Sequence, residues 1–149
     1  MKVDILVHGT CVVVDRMGCL LLGPSASGKS DLALRLVMDQ GAKLVADDQV
    51  ALARLGDRLV AAPPANLAGL IEIRGLGIVK MPHRARARLG LAVVLVSPDE
   101  VERMPESNEG IEYFGVSLPL LRLAPFEVSA PLKVRLATRL WKQSIMRRP

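Results

Sequence analysis

The chain is poor in aromatic residues, with one Trp, one Tyr and two Phe among 149 residues. Leu, Val, Ile and Ala must therefore build its core, and the stacking platforms that single-stranded nucleic acid needs are scarce. Only two cysteines are present, Cys11 and Cys19, each inside an apolar stretch. Without a C-x-x-C pair, neither zinc nor a redox couple is indicated, and two buried, reduced thiols in a cytoplasmic protein are expected. No apolar run is long enough to span a bilayer. Asp4 breaks the first apolar stretch, so neither a signal-peptide core nor a membrane partner is expected.

What is present points to one domain over residues 1–149 with a sizeable aliphatic core, since half of the residues are hydrophobic. The formal charge is +5, and much of the basic excess lies in Arg84, Arg86 and Arg88 and in the tail over 133–148. Such a balance suits an anionic partner, although any single arginine there can simply solvate a surface. The sequence contains no internal repeat and no low-complexity segment.

The organising stretch runs from 19 to 48. The apolar run Cys19-Leu20-Leu21-Leu22 leads into Gly23, Pro24, Ser25, Ala26, Ser27, Gly28, Lys29 and Ser30, which satisfy G-x-x-x-x-G-K-[ST] at every fixed position. Glycines let such a loop turn its N–H groups toward phosphate oxygens, and the next helix points its positive dipole end at the same place. Lys29 supplies a charge for the terminal phosphates and Ser30 a hydroxyl for Mg²⁺. The plain alternative is a glycine-rich turn before an ordinary helix. A strand-like run before the loop and a helical pattern after it favour a nucleoside triphosphate site.

Around this stretch the pattern predicts strands over 3–7, 11–14 and 19–22, the first two separated by His8-Gly9-Thr10, with antiparallel pairing at that edge of the sheet. A helix is expected from about 28 to 39, stopped by Gly41. An inner strand over 43–46 ends in Asp47 and Asp48. A hairpin is expected around Gly56-Asp57-Arg58. The run 71–78 reads either as an edge strand with a bulge or as a loop approaching a ligand. Residues 82–89 read as a mobile basic loop, 91–96 as a buried strand and 111–123 as one or two strands. An amphipathic helix is expected over about 130–147, with Leu136, Leu140 and Trp141 on its apolar face.

Asp47 and Asp48 end a strand beside the phosphate loop. One carboxylate there could hold Mg²⁺ while the other accepts a proton from an attacking hydroxyl; the bland alternative is a capping pair. Glu72 and Arg74 stand two apart and would share one face of a regular strand, either as metal ligand and phosphate cation or as a surface ion pair. His8 alone carries little weight.

Taken together, these residues resemble the HPr kinase/phosphorylase family. The resemblance rests on His8-Gly9, the loop from Gly23 to Ser30, Val45-Ala46-Asp47-Asp48 and Glu72-Ile73-Arg74-Gly75-Leu76-Gly77-Ile78, and then thins to Arg103 and the 131–135 run. It implies a mixed α/β sheet with a P-loop, of the kind also found in PEP carboxykinase, and a C-terminal helix. It matches a short form lacking the family's N-terminal domain. It implies an ATP- and Mg²⁺-dependent kinase acting on a serine of an HPr-like phosphocarrier of the phosphotransferase system. By the resemblance, Asp48 takes the serine proton and returns it in the phosphate-dependent reverse reaction. Lys29 and Arg103 contact phosphate, Ser30 and Glu72 hold Mg²⁺, and His8 controls the ionisation of Asp48. Arg74, Gly75 and Gly77 shape the pocket, and the region of Lys133 and Arg135 serves phosphorolysis. A homo-oligomer, hexameric in the family, is also implied. Ala26 stands where the family commonly has glycine. A nucleotide-binding regulatory module and a small-metabolite P-loop kinase are the alternatives from other classes.

Overall fold

A computed structural model describes residues 5–105 and 109–146, with side chains of the last helix described as far as Trp141. In chain order the elements are β1 (Ile5–His8), β2 (Thr10–Val14), β3 (Met17–Leu22), α1 (Lys29–Gln40), β4 (Lys43–Ala46), β5 (Gln49–Leu55) and β6 (Arg58–Ala62). There follow β7 (Leu70–Ile73), β8 (Gly77–Lys80), β9 (Ala87–Leu95), a 3-10 turn (Pro98–Glu100), β10 (Gly110–Tyr113), β11 (Val116–Leu123) and α2 (Ala130–Met146). Val3 and Asp4 lie outside the described residues, as do 106–108. Among the described residues no helix is long and apolar enough to cross a membrane.

The main sheet runs β1-β5-β6-β9-β3-β2-β4, and β11 pairs with β9 in parallel and with β10 in an antiparallel hairpin. Side chains alternate across it, as strand geometry requires. Val12, Val14, Cys19 and Leu21 join one core against α1 and α2, where Leu32, Leu36 and Val134 meet them. Cys11, Leu20 and Val45 join a second core with Val50, Leu52 and Leu59 of β5 and β6, so the sheet curls over on itself. Because its central strands are covered on both faces, they read as continuous apolar runs. Cys11 and Cys19 are buried and form no disulfide, and burial pushes the Cys11 thiol pKa up, keeping it unreactive.

Several expectations need correction. The antiparallel β2–β3 pair exists, but β3 lies inside the sheet between β2 and β9, and β1 leaves to pair with β5. β4 is not an inner strand: it ends the strand order, and β2 is its one partner among the named strands. It is buried because the segment after β8 covers its free side. Leu44 donates its N–H to the Pro82 carbonyl and accepts from the Arg84 N–H at 2.9 Å each. The basic stretch 82–89 is therefore not a mobile loop, and from Ala87 onward it is β9. On α2 the inward face is Ala130, Val134, Ala137 and Trp141, whereas Leu136 and Leu140 are exposed together with Leu132. The cations beyond Trp141 lie outside the described side chains.

Strand direction positions the site. β3, β9 and β11 are mutually parallel, and β4, antiparallel to β2, points the same way as β3. Their C-terminal ends thus collect at one sheet edge, the place where open α/β sheets bind ligands.

Candidate active site

β3 delivers the chain into the phosphate loop at this edge. Gly28 takes a left-handed φ of 99°, and no side chain caps the start of α1. The first-turn amides are therefore left for an anion. Ala26 also has a positive φ, of 64°, which explains why glycine suits that position. Lys29 is buried, and its ammonium donates to the carbonyls of Gly23 at 2.7 Å and Pro24 at 3.0 Å. Lysine has three N–H donors, so one remains for phosphate. Burial lowers the Lys29 pKa, and the negative charges of Asp48 and then Asp47 partly oppose that shift.

Two crossings of the chain between the halves of the sheet lie side by side at the loop. One is Gly9, between β1 and β2. A Cβ there would come within 2.9 Å of the Leu21 carbonyl oxygen, so only glycine fits. The other is Asp47-Asp48, between β4 and β5. The Gly9 N–H donates to the Asp48 carbonyl at 3.0 Å, stitching the crossings together. His8 Nδ1 then stands 3.6 Å from an Asp48 carboxylate oxygen, both side chains open to solvent. Asp48 adopts φ 69°, a conformation unusual for a residue other than glycine and found preferentially where function constrains the backbone.

Asp47 is held more firmly. One of its carboxylate oxygens accepts from Ser30 Oγ at 2.7 Å and from the buried Thr10 Oγ1 at 3.0 Å. A phosphate-loop hydroxyl touching a strand-end carboxylate is the oxygen-only pairing that suits Mg²⁺. Thr10 was not legible in the sequence as a site residue. Its only signal is its place after His8-Gly9, directly opposite Asp47 once β2 and β4 pair.

Other expected residues lie elsewhere. The 71–78 run is a hairpin, β7–β8, in a two-stranded sheet of its own. Gly75 and Gly77, each at φ 93°, make its turn. Ile71 anchors it in the core, but Glu72 is exposed, and Arg74 lies in the turn beyond β7, so the two do not share a strand face. Among the described residues, the side chains of Glu72, Arg74 and Arg103 make no hydrogen bond or ion pair, and no three acidic, His or Cys side chains form a metal cluster. Lys133 pairs with Glu127. Arg135 bonds Gln40 and Asp15 at the opposite end of α1, so within this chain it does not join the phosphate loop.

On the other side of the loop from Asp47, a cavity of about 830 Å³ opens between the ends of β9 and β11. Its outer wall is the 124–127 connection, held by Arg35 of α1, which donates to the Pro125 and Glu127 carbonyls. Nothing in the sequence pattern announced it, because its walls come from three separate segments.

A mixed α/β sheet with a phosphate loop and paired strand-end carboxylates defines the class: a P-loop α/β protein. The family model for the HPr Serine kinase C-terminal domain matches residues 1–130. The chain belongs to that family. It is 36% identical over 131 residues to an HPr kinase/phosphorylase of Caldanaerobacter subterraneus, a match covering 80% of this chain and 43% of that protein. The protein of the same name in Streptococcus thermophilus is 38% identical, with 78% of this chain and 41% of the relative covered. This chain thus spans about two fifths of the length of these curated relatives. A solved structure, an Hpr(Ser) kinase/phosphatase from Coxiella burnetii, superposes with a TM-score of 0.84 at 26% identity, covering 96% of this chain and 99% of that one.

Proposed function

We propose that residues 1–149 form a single P-loop kinase domain that transfers the γ-phosphoryl group of ATP to a serine of an HPr-like phosphocarrier in the cytoplasm. The observation that carries this reading is Asp48, 3.6 Å from His8 at the end of the phosphate-loop sheet, with its charge acting on Lys29. A nucleotide sensor needs no carboxylate there. A kinase needs a group to take the serine proton.

In this mechanism the loop amides and Lys29 hold the terminal phosphates and offset charge on the transferring group. Asp48 accepts the hydroxyl proton as the serine oxygen bonds to the γ-phosphorus and the bond to the ADP oxygen breaks. His8, 3.6 Å from that carboxylate, is proposed to assist the transfer. Ser30 and Asp47 are the residues that would hold Mg²⁺, with Glu72 as a further carboxylate implied by the family. The ion, when bound, supplies charge stabilisation to the phosphate oxygens. The reverse, phosphate-dependent reaction would run through the same groups, with Asp48 returning the proton. Arg103 is proposed as a phosphate contact. A homo-oligomer is proposed as well, supported by the exposed Leu132, Leu136 and Leu140 on one face of α2.

The test is transfer from labelled ATP to a purified HPr-like carrier and to its serine-to-alanine version. Label that depends on the serine supports the kinase. ATP bound tightly without transfer would move the assignment to a regulatory module.

A further inference from the structure

The cavity between the ends of β9 and β11 plays no part in the chemistry above. We propose that it is the nucleobase subsite, taking the purine ring of the nucleotide whose phosphates lie in the loop, with Phe126 as the stacking platform. This rests on the ATP-binding reading above.

Position argues for it first. The loop residues Gly23, Pro24 and Ser27 line the cavity as well, so the phosphate cradle and the cavity share a wall. The carboxylates and Ser30 occupy the other flank, toward β2 and β4, which commits that side to metal and acceptor. A nucleotide with its phosphates in the loop therefore has the β9–β11 side open for its base.

Size and chemistry agree. A volume of about 830 Å³ falls within the range of small-ligand sites. The walls are mainly apolar, with Val94, Leu95, Val96 and Ala124 at the strand ends and Glu100 and Arg122 as polar members. Phe126, one of only two phenylalanines in the chain, is 70% exposed. Its ring packs over Gly28, where a Cβ would approach to 2.9 Å, so it stands at the junction of cradle and cavity. The wall that carries it is fixed, because Arg35 grips the carbonyls on either side and Lys133 pairs with Glu127 at 2.7 Å. An exposed aromatic on a held wall beside a phosphate site is suited to a flat base. Ser27, on the shared wall, keeps a buried hydroxyl with no partner among the described residues.

Stacking tolerates any base because every base presents a π-face. The subsite is accordingly a purine grip with little discrimination between adenine and guanine.

The experiment is calorimetric titration of the full chain with ATP, GTP and inorganic tripolyphosphate, each with Mg²⁺. ATP and GTP should bind with similar affinity and more tightly than tripolyphosphate. Phe126→Ala should weaken ATP by roughly tenfold or more, in line with the loss of one stacked base, and leave tripolyphosphate unchanged. Phe126→Tyr should restore ATP binding. Tripolyphosphate binding as tightly as ATP, or an unchanged ATP affinity in Phe126→Ala, overturns the subsite and leaves the phosphate loop standing. Equal weakening of ATP and tripolyphosphate also overturns it, because Phe126 would then only support the loop. Failure of the unaltered chain to bind either ligand overturns the phosphate-loop reading itself, and the subsite with it.

Discussion

Asp47 and Glu72, the two carboxylates proposed for the metal ion, sit in opposite surroundings. Asp47 is half-buried and receives hydrogen bonds from Ser30 and the buried Thr10. Glu72 projects from a two-stranded hairpin with no described partner, and its neighbours Leu76 and Ile78 are 75% and 73% exposed. The first carboxylate is aimed before any ligand arrives, which is how electrostatic stabilisation avoids a reorganisation cost. The second must be ordered by what binds. The most distinctive string in the sequence, 72–78, is therefore the least anchored part of the site, and its glycines serve a turn. Specificity of a motif and rigidity of a site are separate properties.

Substitutions can break that contrast. The largest expected effect is at the exposed neighbour of the pre-aimed carboxylate: Asp48→Asn should cut transfer roughly 10²–10⁴-fold, the usual worth of a general base. Nucleotide affinity should hold, as calorimetry beside the labelled-transfer assay would show; an unchanged rate removes Asp48 from the role. Within the hairpin, the two faces should separate. Ile71→Ala should cost about 2–5 kcal/mol of stability, as for other buried aliphatic truncations, read from denaturant midpoints. Glu72→Gln should stay within about 0.5 kcal/mol, as exposed sites do, while raising the Mg²⁺ concentration needed for half-maximal transfer. A Glu72 variant with an unaltered Mg²⁺ requirement would make the hairpin carboxylate a surface group.

Lys29 gives a pH test with two opposite signs. Its folded-state pKa lies below the ordinary lysine value because the ammonium is buried. Between the folded and unfolded values the unfolded chain binds more protons, so stability of the ligand-free protein should rise with pH in that window. Polyphosphate affinity needs the charged form, so it should fall over the same window. Lys29→Arg, which stays charged, should remove both trends. A modest gain is expected at Ala26→Gly, where relief of the positive φ should add on the order of 1 kcal/mol to stability. A loss there would show that the loop relies on the stiffness of alanine.

Much of this was visible before the fold. The phosphate loop, α1 with its Gly41 stop, the β5–β6 hairpin and the last helix each follow from local rules: glycine where φ is positive, helical or alternating periodicity, and turn residues between strands. The errors share one cause. The local pattern points to an inner strand for β4 and a mobile loop for 82–89 because burial can be read from composition, whereas the neighbour that causes it cannot. Here each covers the other. Leu136 and Leu140 misled for a related reason: an apolar stripe shows a preference for burial without saying which helix face meets the sheet.

Sequence alone determined that a loop of this chain can cradle phosphate and that carboxylates end the strand that follows, since both depend on residues near one another in the chain. Only the tertiary structure decided that Thr10 and Ser30 converge on Asp47, that His8 reaches Asp48 through a crossing open only to glycine, and that β9, β11 and the 124–127 connection enclose a cavity. Those relations depend on strand order and register, which long-range packing of two cores selects and no local stretch encodes.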